Sequence, residues 1–268
     1  MEQRIRPVTA ALFGKKPSEL IPLAVLTAYD YPSALLADEA GVDAVLVGDS
    51  LGMVLMGHHN TLRVTMDIMA HHTAMVSRAV RRALVIADMP FLSCSLGPEE
   101  AVRCAGRLVG ECGAGAVKIE GPMSRVGDAI QAVLRAGIPV MAHLGLTPQQ
   151  VLQLGGYCVQ GRDEEAASRI LREARELADA GCFSIVLECV PARLAASITA
   201  ALPIPTIGIG AGPQCDGQVL VMHDILGWGK ARFAKTYADV RKMMGDAFSA
   251  YVNDVKARRY PDREHWYE

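Results

Sequence analysis

Eight short apolar runs, separated by longer stretches of helical periodicity, constrain this 268-residue chain more than any other feature. The runs are PLAVLTAY (22–29), AVLVGD (44–49), ALVIAD (83–88), AVKIEG (116–121), PVMAHL (139–144), SIVLEC (184–189), PTIGIG (205–210) and a weaker ARFA (231–234). Between them lie helical segments such as YPSALLADEAG, TMDIMAHHTAMVSRAV, GPEEAVRCAGRLVGECGA, SRVGDAIQAVLRAG and DEEAASRILREARELADAG. Their apolar residues recur at helical spacing, and several end in the glycine that closes a helix. Strands apolar on both faces need helices on both sides of a parallel sheet. Eight such strand–helix units predict an α/β protein, one (β/α)8 TIM barrel over residues 1–268 with short N-terminal and C-terminal extensions. An open doubly wound sheet is the rival, weakened by the lack of GxGxxG after the first strand.

Composition excludes several classes of function. Hydrophobic residues make up 51% of the chain, enough for a large core. The net charge is −2 with no long basic tract, which argues against nucleic acid and anionic membrane as partners. Seven cysteines, odd in number and without a CxxC pair, predict free thiols in a reducing cytoplasm. No apolar run reaches membrane-spanning length, and the charged N-terminal stretch has no apolar signal region.

The ends of the strands carry the chemistry. Asp49, Asp88, Glu120 and Glu188 close four apolar runs, and His143 lies near the end of a fifth. In a barrel these ends converge on one face, where active sites are built. Alternation places Lys118 and Glu120 on one face of AVKIE and Val117 and Ile119 on the other. The apolar pair must meet the helices, so the charged pair points inward and needs a metal, an opposite charge or a ligand. An internal salt bridge that fills the barrel is the bland alternative. Oxygen donors Asp49, Asp88 and Glu120 suit a hard cation such as Mg²⁺, and the absence of HExxH or clustered cysteines disfavours zinc. A 2-oxo acid fits the remaining coordination positions, with its keto oxygen polarised by the ion while a base removes the neighbouring proton. Glu188 is the candidate base and Lys118 the counter-charge for the substrate carboxylate.

Other residues are weaker candidates. His58 and His59 read as surface residues, His71 and His72 as structural ones, and Cys189, which alternation turns away from the axis, as packing. His143 is a candidate hydrogen-bonding group. The glycines of GIGAG (208–212) suit a phosphate seat or tight packing equally. Residues 147–161 read as a partly helical excursion long enough to cover a site. The tail after an amphipathic helix at roughly 237–257 reads as a surface or subunit-contact element.

The segments LTAYDYPSA (26–34), LVGDSLGMVLMGHHNT (46–61), IADMPF (86–91), VKIEG (117–121), HLGLTPQ (143–149), GGYCVQGR (155–162), LECVP (187–191), IGIGAG (207–212) and DGQVLVMHDILG (216–227) closely resemble the ketopantoate hydroxymethyltransferase family. The resemblance implies a (β/α)8 barrel that uses Mg²⁺. It implies transfer of a hydroxymethyl group from 5,10-methylenetetrahydrofolate to 3-methyl-2-oxobutanoate, giving 2-dehydropantoate and tetrahydrofolate for pantothenate synthesis. By that resemblance Asp49 and Asp88 are metal-site aspartates that also border the substrate, with Glu120 beside the ion. Ser50 and Lys118 match substrate-binding residues, His143 an active-site histidine and Glu188 the base. It further implies a cytoplasmic homo-oligomer, commonly a decamer of two five-membered rings. Arg63, Asn60 and Cys158 depart from the family pattern, and none of them removes a group proposed for the chemistry. The nearest rival is a Mg²⁺-dependent lyase or mutase of the phosphoenolpyruvate mutase and isocitrate lyase type, though the chain lacks a KKCGH-like loop. A non-catalytic metabolite-binding barrel is the rival from another class.

Overall fold

A computed structural model describes residues 6–16, 21–229 and 231–268. The charged start of the chain, residues 1–5, lies outside them. Eight parallel strands close a barrel in sequence order: β1 Leu23–Thr27, β2 Ala44–Val47, β3 Leu84–Asp88, β4 Ala116–Glu120, β5 Val140–Gly145, β6 Ser184–Glu188, β7 Thr206–Ile209 and β8 Gly217–Leu220. Parallel pairing of β1 with β8, Val25 opposite Val219, completes the circle. Closure rules out the open sheet.

Seven strands fall where the apolar runs place them; the eighth does not. ARFA (231–234) is turn and irregular chain, and the closing strand is GQVL instead. Its burial alternates, with Gln218 exposed between buried Gly217 and Val219. A strand apolar on one face only offers no continuous run to the eye, which is why it is missed.

The helices follow their local chemistry. Met66–Ala79 starts where Thr65 accepts the Ile68 N–H, and Glu164–Asp179 where Asp163 accepts from Ala166. Tyr31–Glu39 begins at Asp30, with Pro32 in its first turn. Pro98–Gly106 widens into a π-helical turn over Arg107–Glu111. Met123–Arg135 and Ala192–Ala201 cover β4 and β7.

The interior is layered. Val25, Ala44, Leu84, Ile86, Ala116, Met141, Val186 and Ile207 form one apolar cluster with Ala10 and Phe13 of the short N-terminal helix Ala10–Phe13. That helix plugs the N-terminal end of the barrel, where the Val8 N–H donates to the Arg82 carbonyl and Phe13 meets Phe183 edge-on at 5.9 Å. Alternation holds as expected: Ala116 belongs to this cluster, and Lys118 and Glu120 follow it at two-residue spacing on β4.

By its internal contacts the chain divides into Met1–Val221, which contains the barrel, and Met222–Glu268. The second unit holds the helix Val240–Lys256, capped by Asp239, with Met243, Phe248 and Tyr251 exposed. In its tail Tyr260 packs against Tyr251 and His265.

Candidate active site

Strand register assembles the site. Asp88 on β3 lies opposite Lys118 on β4, Glu120 opposite His143 on β5, and Gly145 opposite Glu188 on β6. A run of polar groups therefore crosses four neighbouring strands at their C-terminal ends. Lys118 Nζ sits 3.1 Å from Asp88 Oδ1 and 3.3 Å from His143 Nδ1. His143 Nε2 lies 3.3 Å from Glu188 Oε2, and its Nδ1 lies 3.7 Å from Glu120 Oε2. Gly145 makes the close passage to β6 possible: at φ +92° it takes left-handed backbone, and a Cβ there would lie 2.2 Å from the Glu188 carbonyl.

Asp49 arrives differently. It stands two residues past the end of β2, where strand alternation no longer governs direction. Its backbone N–H donates to Asp88 Oδ2 at 3.0 Å, which brings the two carboxyl groups into one buried neighbourhood. Next to it, the Ser50 hydroxyl shares a 2.9 Å hydrogen bond with the Tyr29 hydroxyl. All seven residues singled out from the sequence thus gather at the barrel mouth or its edge.

Charge inside this site is unevenly matched. Asp49, Asp88, Glu120 and Glu188 face a single buried ammonium, Lys118. Burial opposes the Lys118 charge, but Asp88, Glu120 and Asp49 outweigh it and hold the ammonium protonated. Burial, then the Asp88 carboxylate, raises Asp49 to about 7. Burial, then Asp49, pushes Glu120 well above the usual carboxylate range. His143 is lowered, first by burial and then by Lys118. An ammonium can only donate, so His143 Nδ1 accepts from Lys118 and the proton resides on Nε2, toward Glu188. At 3.3 Å that Nε2–H is in polar contact with Glu188 but misaligned for a full hydrogen bond. Glu188 has the most open side chain of these groups, 16% exposed against 2–6% for Glu120, His143, Asp88 and Lys118.

Among the described residues no three His, Cys, Asp or Glu side chains form a ready-made metal cage. The donor chemistry nonetheless fits a hard cation that takes its other ligands from substrate and water. Asp49 and Asp88 are buried together and repel one another, and Asp88 Oδ1 has no hydrogen bond, only the ion pair with Lys118. A cation at these oxygens would relieve both conditions.

Sequence reading missed Gln149. The excursion after β5 folds as a 3-10 turn, Pro148–Gln150, and a short helix, Val151–Leu154. It carries the Gln149 amide to Asp49 Oδ2 at 2.9 Å and to the Met89 carbonyl at 3.0 Å. Gln149 lies within HLGLTPQ, but nothing in that motif tells which way its side chain points. Beside it a cleft of about 240 Å³ runs between Met89, Phe91, Leu92, Arg125 and Leu152, with Glu120 in its wall.

His59 is exposed and His58 half-buried, while His72 Nδ1 is bonded to the Tyr29 carbonyl within a helix and is structural. The glycines of GIGAG are closely packed: Cβ atoms at Gly208 and Gly212 would meet Cys215 Sγ at 2.9 Å and Ala192 Cβ at 2.5 Å. All seven cysteines are free, and burial raises the Cys189 thiol to about 11, which suits packing rather than attack.

Comparison with known proteins identifies the family. The family model for ketopantoate hydroxymethyltransferase matches residues 7–263. A 3-methyl-2-oxobutanoate hydroxymethyltransferase from Moorella thermoacetica is 55% identical over 246 residues, 91% of each chain. One from a Thermoanaerobacter species is 48% identical over 268 residues, 99% of this chain and 96% of the relative. The barrel also resembles the solved phosphoenolpyruvate phosphomutase of Streptomyces platensis, with a TM-score of 0.62 over 93% of this chain and 88% of that one. At 15% identity that likeness extends to the fold alone. Sequence identity separates the chain from the lyase and mutase reading, and the chain belongs to the ketopantoate hydroxymethyltransferase family.

Proposed function

We infer that the protein is a 3-methyl-2-oxobutanoate hydroxymethyltransferase, moving a one-carbon unit from 5,10-methylenetetrahydrofolate to the 2-oxo acid to give 2-dehydropantoate, in pantothenate synthesis. The observation that carries the chemistry is the spacing of roles around the barrel. Acidic oxygens at Asp49 and Asp88 and the more open Glu188, three strands further round, are joined through Lys118 and His143. Asp49 and Asp88, with Glu120 beside them, would hold Mg²⁺, which when bound supplies Lewis-acid polarisation of the substrate's keto oxygen.

The chain's own groups supply the rest. Lys118 places positive charge at the substrate carboxylate, and the Ser50 hydroxyl, fixed by Tyr29, hydrogen-bonds it. Glu188 removes the C3 proton, leaving C3 nucleophilic toward the folate-borne carbon. Neutral His143 turns its Nε2–H toward Glu188 and orients that carboxylate without taking its charge. We place the protein in the cytoplasm as a homo-oligomer, a decamer by family resemblance, acting as one barrel domain with terminal extensions. The exposed apolar residues of Val240–Lys256 support a role in subunit contact. No helix of the described residues is long and apolar enough to cross a membrane.

The test is C3 proton exchange on 3-methyl-2-oxobutanoate in deuterated water with Mg²⁺ and no folate, followed by 2-dehydropantoate formation once the folate is added. Exchange without transfer would leave the enolisation half standing and remove the folate half. No exchange at all would sink the proposal.

A further inference from the structure

Gln149 makes three hydrogen bonds, and they reach three different parts of the barrel mouth. One N–H of its amide donates to Asp49 Oδ2 at 2.9 Å, beyond β2. Its Nε2 also donates to the Met89 carbonyl at 3.0 Å, just after β3. The backbone N–H donates to Glu120 Oε1 at 3.2 Å, at the end of β4. A loop anchor would need only the carbonyl of Met89. Its neighbour shows the contrast: the Gln150 side chain accepts from Thr147 Oγ1, within the same turn.

We propose that Gln149 is a positioning residue for the divalent-cation site, holding one oxygen of Asp49 and one of Glu120 so that their other oxygens, Oδ1 and Oε2, remain for the ion. The proposal rests on the cation reading of Asp49, Asp88 and Glu120 given above. Its physical basis is that buried carboxylate oxygens need hydrogen-bond donors, and that groups bonded to metal ligands fix the ligands' orientation. Gln149 serves two of the three acids at once, one through its side chain and one through its main chain. The same three bonds tie the 147–161 excursion down beside the cleft at Glu120, so loop order and cation affinity depend on one residue.

The experiment titrates Mg²⁺ alone into wild type, Gln149→Ala, Gln149→Glu and Gln150→Ala by calorimetry, with metal-free melting curves and hydrogen exchange over residues 147–161. Gln149→Ala should weaken Mg²⁺ binding by about 10–100-fold, the range for residues that orient metal ligands. Gln149→Glu keeps the length and the backbone N–H but sets an acceptor against Asp49, and should weaken binding at least as much. Gln150→Ala should change affinity by less than about twofold; all variants should still melt cooperatively without metal, and hydrogen exchange over residues 147–161 should quicken in the two Gln149 variants only. Equal losses in Gln149→Ala and Gln150→Ala, or unchanged affinity in Gln149→Ala and Gln149→Glu, would overturn the proposal. Absence of Mg²⁺ binding by wild type would instead remove the cation reading beneath it.

Discussion

The two ends of the barrel interior are built from the same strands and differ in almost every physical respect. At the N-terminal end, Val25, Leu84, Ile86, Ala116, Met141 and Val186 pack into a hydrocarbon core sealed by Phe13. At the C-terminal end, two residues beyond Ile86, Ala116, Met141 and Val186 on β3 to β6, stand Asp88, Lys118, His143 and Glu188. The first region stabilises the fold by removing apolar surface from water. The second stores buried charge that the fold holds at a cost, because its carboxyl groups outnumber its one ammonium. Stability and chemistry are thus divided along the strand axis, and within β4 the boundary falls between Ala116 and Lys118.

Four substitutions test that division. Glu188→Gln should lower C3 proton exchange by about 10²–10⁴-fold, the usual span for a lost general base, while leaving Mg²⁺ and 2-oxo acid binding intact. Near-normal exchange would move the base elsewhere. Phe13→Ala, at the opposite end, should cost about 3–5 kcal/mol of stability by opening a cavity in the plug. Folded Phe13→Ala enzyme should still exchange the proton at a near wild-type rate; a matching loss would show that the two ends are coupled. Asp88→Asn should weaken Mg²⁺ more than about tenfold, since removing a ligand should exceed the least effect of disturbing one. An unchanged binding isotherm would reject Asp88 as a ligand.

The smallest effect concerns pH. Asp49 is raised from 3.8 to about 7, chiefly by burial and then by Asp88, so the metal-free fold favours its protonated form. That contribution to stability is fully present below 3.8 and is lost as pH rises through about 7. Metal-free protein should therefore melt at a lower temperature at pH 8 than at pH 6, with Asp49→Asn showing a shallower decline. Identical slopes in the two proteins would show that Asp49 is not the group responsible.

Much of this site was legible because a strand has a fixed two-residue period. Lys118 and Glu120 could be placed inward from AVKIE alone, as the apolar face has to meet the helices. Four strand-end acids likewise follow from the barrel assignment. Asp49 shows where that logic ends. Alternation extended past β2 says nothing reliable about it, and its place beside Asp88 depends on a backbone N–H reaching a carboxylate 39 residues away in sequence. Gln149 was beyond reach for the same reason, as its partner Asp49 is 100 residues distant. The eighth strand escapes a search for apolar runs because Gln218 interrupts it.

Strand–helix alternation, the inward face of β4, the supply of acidic oxygens and the family can all be read along the chain. Each follows from local period or from motif order, properties that survive without a fold. The fold adds that Lys118 lies between Asp88 and His143, that His143 carries its proton toward Glu188, and that Gln149 joins Asp49 to Glu120. Those contacts depend on the register between neighbouring strands and on how loops return over the barrel mouth. Both are set by packing among distant segments, a property no single stretch of sequence possesses.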